Sequence, residues 1–192
     1  MRRTFAGQAG VSLLSFVLLV LSWGLAAADP VRIVAVGASN TWGWGVGDQN
    51  AYPARLQSLL RAKGIEAYVT SAGVIADTTS GMLRRIDSAA PDGTGLVILQ
   101  PGGNDLRFFG TREQREANIA SIRRRLRERG IKIVVFDPVF PPSYFSFDGV
   151  HFTSAAHAQI AADLVPLVSG FTARESTPAR PYRRHSSPAL TR

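Results

Sequence analysis

The sequence predicts an α/β domain built on an open, all-parallel sheet with helices on both faces. Two observations carry this: four short apolar runs at 31–36, 67–72, 96–100 and 131–136, and helical periodicity in the segments between them. A third sharpens it. The first, third and fourth runs are nearly continuous in Val, Ile and Leu instead of alternating, which marks strands buried on both faces.

The helices follow in chain order. After the first strand, Tyr52, Leu56, Leu59, Leu60 and Lys63 step by three and four, and Gly64 is placed as a C-terminal cap, giving a helix over 52–63. A shorter helix is expected over 79–86. The clearest spans 112–129, where Thr111 and Gln114 have capping-box spacing, Ile119, Ile122 and Leu126 form one stripe, and Gly130 stands past the end. A last helix over 154–168 puts Ile160, Leu164 and Val168 on one side.

The two ends read differently from the middle. Met1-Arg2-Arg3, an apolar stretch over 11–25 and Ala26-Ala27-Ala28 form the three-part layout of a secretory signal, so residues 1–28 are expected to be a cleaved leader. The rival reading, an uncleaved anchor, is disfavoured because Ser12, Ser15 and Ser22 interrupt a run already short for a span of ~20 residues. No membrane span is then expected after cleavage. Residues 173–192 are rich in Pro, Ser and Arg without apolar periodicity, and are expected to be a disordered basic tail. The folded domain is accordingly expected over 29–172, with an exported protein, periplasmic or secreted.

Charge supports this division. The whole chain carries +8, but Arg2 and Arg3 hold +2 of it and the tail holds +4, which leaves +2 for the folded part. A nucleic-acid partner is therefore not expected, because the excess lies at the ends and not on a domain face. The tail has the charge to touch anionic envelope surfaces. The chain has no cysteine, which rules out disulfides, thiolate metal sites and a cysteine nucleophile.

Ligand sites in open α/β sheets lie beyond the carboxyl ends of the strands. Four polar blocks fall there: GASNT at 37–41, AG at 72–73, GGND at 102–105, and, after a proline-rich loop, DGVH at 148–151. A serine hydroxyl needs an imidazole to take its proton, and that imidazole needs an acid on its other nitrogen. Ser39, His151 and Asp148 can supply these three parts. An oxyanion needs preorganised donors, each worth ~3 kcal/mol; the N–H groups of Ser39 and Gly73 and the amide of Asn104 are suitable. Trp42 and Trp44 follow the serine closely and are candidate walls of a substrate pocket.

Blander readings stand beside these. Gly73 and Asn104 are common turn formers, Asp105 braces its loop, and Asp148 has the position to cap the last helix. Asp137 competes as the histidine's acid but sits at a strand end before Pro138. His157 falls inside a helical pattern and reads as a packing or surface residue. Gly43, Gly45 and Gly47 do not have the spacing of a phosphate loop.

The four blocks, in this order, resemble those of the SGNH (GDSL-type) hydrolases, and among them small bacterial esterase and thioesterase I/lysophospholipase-like members. The stretch DTTSGMLRR from Asp77 also resembles the segment that follows the glycine block in that subgroup. The resemblance covers about 31–166. It implies a three-layer flavodoxin-like fold with a sheet of four to five strands, no metal and no cofactor. It also implies hydrolysis of small acyl esters, thioesters or lipid-like substrates through an acyl-enzyme. Ser39 would be the nucleophile, His151 the base, Asp148 the orienting acid, and Ser39, Gly73 and Asn104 the oxyanion hole. Two departures stand out. Ala38 takes the place of the family's usual Asp, and residues 138–147 are too few for the strand and helix that relatives have there, so a fifth strand is expected to be missing. These departures motivate the alternative reading, a non-catalytic envelope binding protein that keeps the fold.

Overall fold

In the computed structural model the described residues are 29–107 and 110–175. The leader expected at 1–28 and the tail past Glu175 lie outside them.

Four parallel strands form one sheet: β1 (Val31–Gly37), β2 (Ala67–Gly73), β3 (Leu96–Gln100) and β4 (Lys132–Val135), in the order β2-β1-β3-β4. The helices are α1 (Ser39–Trp42), α2 (Tyr52–Ala62), α3 (Thr79–Ala89), α4 (Asn104–Arg107), α5 (Arg112–Glu128) and α6 (Ser154–Glu175). The expected α/β class, parallel sheet and four-strand count are all present, and among the described residues no fifth strand appears. The last helix runs to Glu175, past the expected end at 168 and past the expected domain boundary. No helix among the described residues is long and apolar enough to cross a membrane.

The continuous apolar runs follow from burial on both faces. Ile33 and Ala35 of β1 and Leu96 and Ile98 of β3 point into a core shared with Leu56 and Leu60 of α2 and Ile160 and Leu164 of α6. Val34, Val36, Val97 and Leu99 alternate to the other face, against Met82 and Ile86 of α3 and Ile122 and Leu126 of α5. From Ile33 in β1 and throughout β3, the central strands thus have no face for water. The stripes predicted on α5 and α6 pack here, as do Tyr52, Leu56 and Leu60 of the one predicted on α2, whereas Leu59 is exposed and Lys63 caps the helix end. The caps behave as spaced: Thr111 Oγ1 accepts from Gln114 N at 3.1 Å, and Thr78 Oγ1 from Gly81 N at 3.3 Å.

The connection from β4 to α6 is filled by an aromatic cluster. Phe140 stacks on Tyr144 at 4.9 Å and meets Phe152 edge-on at 5.5 Å, and Phe145 meets Phe152 at 5.4 Å. An antiparallel bridge between Phe145 and Phe152 closes the segment into a hairpin-like loop.

Below the sheet's end lies a buried polar group. His157 is fully buried on α6, accepts the Tyr52 N–H on Nδ1 at 3.2 Å, and has no partner for Nε2. Burial first, then the nearby Arg55 charge, lowers its pKa from 6.5 to about 4. Between those values the unfolded chain binds a proton that the fold excludes, so stability falls as pH drops from about 6.5 to about 4. The loss is on the order of 3 kcal/mol at full extent. Urea unfolding at pH 7.5 and pH 4.5 is expected to show a smaller pH difference in His157→Gln, whose side-chain oxygen can accept the Tyr52 N–H.

Candidate active site

Three strand ends and one loop meet at the carboxyl edge of the sheet. β1 stops at Gly37, and the chain turns at once into the four-residue α1, which puts Ser39 in its first turn. Helix α1 is pinned from behind by a buried relay: Tyr52 OH bonds Thr41 Oγ1 at 3.1 Å, and Thr41 Oγ1 donates to Gln100 Oε1 at 3.0 Å. Burial keeps the Tyr52 hydroxyl protonated by pushing its pKa well above the ordinary value. Ala38 is buried and makes no side-chain bond to α1, so the N–H groups of the first turn are not taken by a cap.

Asp148 and His151 sit on the hairpin-like loop before α6. Gly149, at φ 65, takes the left-handed turn that brings them side by side. Asp148 Oδ2 meets His151 Nδ1 at 2.6 Å. Its Oδ1 accepts from Ser146 Oγ at 2.7 Å and from the N–H groups of Val150 and His151, both at 2.9 Å. These bonds, the His151 N–H foremost, hold its carboxyl well below the usual carboxylate range. An ionised carboxylate only accepts, so Nδ1 carries the ring proton and Nε2 presents its lone pair. That lone pair faces Ser39 Oγ at 3.1 Å, across 112 residues of chain. Ser39 is 7% exposed, while the side chains of His151 and Asp148 are 19% and 30% exposed. The arrangement can move a proton from the serine to the imidazole with the resulting charge held by Asp148.

Asn40 holds this loop in place, and nothing in the sequence had marked it. Its Oδ1 accepts the Phe152 N–H at 2.9 Å and its Nδ2 donates to Val150 O at 3.4 Å. One amide therefore bonds the backbone on both sides of His151, as a neighbouring strand would. Trp44 stacks on the His151 ring at 5.4 Å, with Trp42 at 6.2 Å from Trp44. Both tryptophans are partly exposed, and neither lines the cleft that holds Ser39 and Asn104.

Asn104 begins α4 and lines that cleft together with Ser39. Its Nδ2 donates one hydrogen to Asp77 O at 2.8 Å. Asp77 in turn pairs with Arg85 at 2.8 Å, and Arg85 donates to Gly37 O at 3.1 Å, so a relay of side chains links the GGND loop to the end of β1. Asp105 is buried and braces its loop by accepting Thr79 Oγ1 at 2.6 Å and the Thr79 N–H at 3.1 Å. Asp137, the rival acid, pairs with Arg115 instead of His151.

Gly73 stands opposite Gly37 in the register, against the backbone of α1. A Cβ on it would lie 2.2 Å from Trp42 N and 2.7 Å from Thr41 C. Glycine is required there by close packing, whatever its N–H does.

A sequence model of the GDSL-like lipase/acylhydrolase family matches residues 35–183. The esterase TesA of Pseudomonas aeruginosa is 31% identical over 127 residues, 66% of this chain; the match spans 62% of that relative's length. The crystal structure of TesA superposes with a TM-score of 0.67 at 21% identity, over 73% of this chain and 99% of that one. AlinE4, described as an SGNH-hydrolase family esterase, is 27% identical with a TM-score of 0.54, over 84% of this chain and 87% of that one.

The packing at Gly73 yields a direct test. Gly73→Ala is expected to push α1 off β2 and to lower stability by about 1–3 kcal/mol in urea unfolding, the usual cost of overpacking.

Proposed function

The chain belongs to the GDSL-like lipase/acylhydrolase family, and from that premise we propose that it hydrolyses small carboxylic esters or thioesters through a covalent acyl-enzyme. The observation that carries this reading is the unbroken path from Asp148 through His151 to Ser39, at 2.6 and 3.1 Å. His151 Nε2 takes the Ser39 proton as Oγ bonds to the acyl carbon. Asp148 stabilises the imidazolium so formed, and the proton passes to the leaving alcohol or thiol as its bond to the acyl carbon breaks. Water then enters and loses a proton to His151 as its oxygen bonds to the acyl carbon; the bond to Ser39 Oγ breaks as His151 returns that proton to it, which releases the acid and restores the serine.

The oxyanion of each tetrahedral intermediate requires donors set in advance. Asn104 is suited to the task because Asp77 O engages only one hydrogen of its Nδ2 and fixes the direction of the other. The Ser39 and Gly73 N–H groups complete the proposed hole. Asn40, Arg85 and Asp77 act as positioning residues that keep these parts in register. The leader expected at 1–28 places the reaction outside the cytoplasm, where the substrate is a small acyl ester and not an intracellular carrier.

Fluorophosphonate labelling of the purified protein, read by intact mass and peptide mapping, tests the nucleophile. One adduct on Ser39, absent from Ser39→Ala, is expected. A folded protein that takes no adduct would favour the binding-protein alternative instead. Asn104→Ala is expected to lower kcat by about 10²–10³; unchanged turnover in a folded variant would remove Asn104 from the hole while leaving the serine in place.

A further inference from the structure

The cleft beside Ser39 has a volume of about 290 Å³ and a mixed lining. Leu106, Pro138, Phe145, Val150 and Phe152 are its larger apolar residues. Its charged residues are Arg107, Arg112 and Arg115 against a single carboxylate, Asp137. Arg115 is structural: it pairs with Asp137 and donates Nε to Gly102 O at 3.2 Å, which ties the GGND loop to the end of β4. Arg107 and Arg112 make no ion pair with any carboxylate among the described residues. Glu113, beside Arg112 in the chain, is exposed and does not line the cleft.

The placement of Arg112 does nothing for the helix that carries it. It is the first residue of the 17-residue α5, where the helix dipole disfavours a cation. Arg112 acts through space on the exposed Glu113 carboxylate, but among the described residues neither it nor Arg107 is engaged in an ion pair. Two guanidinium groups free of ion pairs thus line the cleft that holds the serine, on a domain whose overall charge is near neutral. Guanidinium forks match carboxylate and phosphate oxygens in geometry as well as charge.

We propose that Arg107 and Arg112 form a subsite for an anionic group carried by the substrate, so that the preferred esters are small and negatively charged. This rests on the ester-hydrolase reading and narrows it. The apolar lining takes the hydrocarbon part, the arginines take the carboxylate or phosphate, and the scissile carbonyl sits at Ser39. An uncharged ester leaves the two guanidinium groups without a ligand, and such esters are expected to be poorer substrates.

The test compares kcat/KM for 4-nitrophenyl hemisuccinate with that for 4-nitrophenyl butyrate, in the full-length chain and in the Arg107→Gln/Arg112→Gln double variant. The anionic-to-neutral ratio is expected to fall by about 10-fold in the variant, as two exposed ion pairs at up to ~1 kcal/mol each would give. Each ratio is taken within one protein, so a general loss of activity cancels. An Arg107→Lys/Arg112→Lys variant is expected to keep most of the preference. Calorimetric titration with glutarate and with methylphosphonate reads the subsite without turnover and separates a carboxylate from a phosphate. The proposal stands if the ratio falls, or if either anion binds the natural protein more tightly than the double variant. It is overturned if the ratio is unchanged or cannot be read and neither anion distinguishes the two proteins. Failure to cleave either ester would instead count against the hydrolase reading, while the titration still decides the subsite.

Discussion

Everything at the candidate site depends on three parallel strands ending at one level. Gly37 stands opposite Gly73 on one side and Gln100 on the other. Parallel strands send all their carboxyl ends to the same edge, and the order β2-β1-β3-β4 places β1 and β3 at the point where the connections diverge to either side. The residues that follow those strands therefore meet without any further device. A slip of one residue in β1 would turn Ile33 and Ala35 into the opposite core and move Ser39 away from Asn104. The two dry cores flanking β1 and β3 prevent it. Hydrophobic burial thus fixes the register, and the register fixes the polar edge.

The fourth part of the site has no such guarantee. Asp148 and His151 belong to a loop that reaches the edge from the far side of β4, and hydrogen bonds must hold it there. Asn40 supplies two of them, one on each side of His151, from the residue next to the serine. Asp148 supplies others within its own turn, so the carboxylate both orients the imidazole and stiffens the loop. The stack of Phe140, Tyr144, Phe145 and Phe152 fills the volume behind it. A shortened connection is sufficient for this purpose because aromatic side chains bury much surface with few ordered torsions.

The same economy leaves the site open. His151 and Asp148 retain contact with solvent, and the cleft beside Ser39 carries three arginines and one carboxylate. Ala38 also finds its explanation in packing: its methyl joins Val36 and Met82 in the second core, and the neighbouring relay through Arg85 and Asp77 supports the end of β1 from the other side.

By itself the sequence determined the layers and the candidates. Two periodicities sufficed for the fold, since a strand buried on both faces reads as an unbroken apolar run and a surface helix as a stripe. The polar residues after each strand had to be at one edge, because parallel topology allows no other place. Tertiary structure alone decided which of them touch. Asn40 stood in the GASNT block without a role of its own, and only the packing of residues 150–152 against it supplies one. Asp137 was the lesser rival to Asp148 by its place at a strand end, and the structure pairs it with Arg115. Trp44 was placed on His151 by the fold of α1 and not by any spacing. Local pattern records burial, which every residue of an element shares. A hydrogen bond across 110 residues is specified by packing alone, and leaves no period to read.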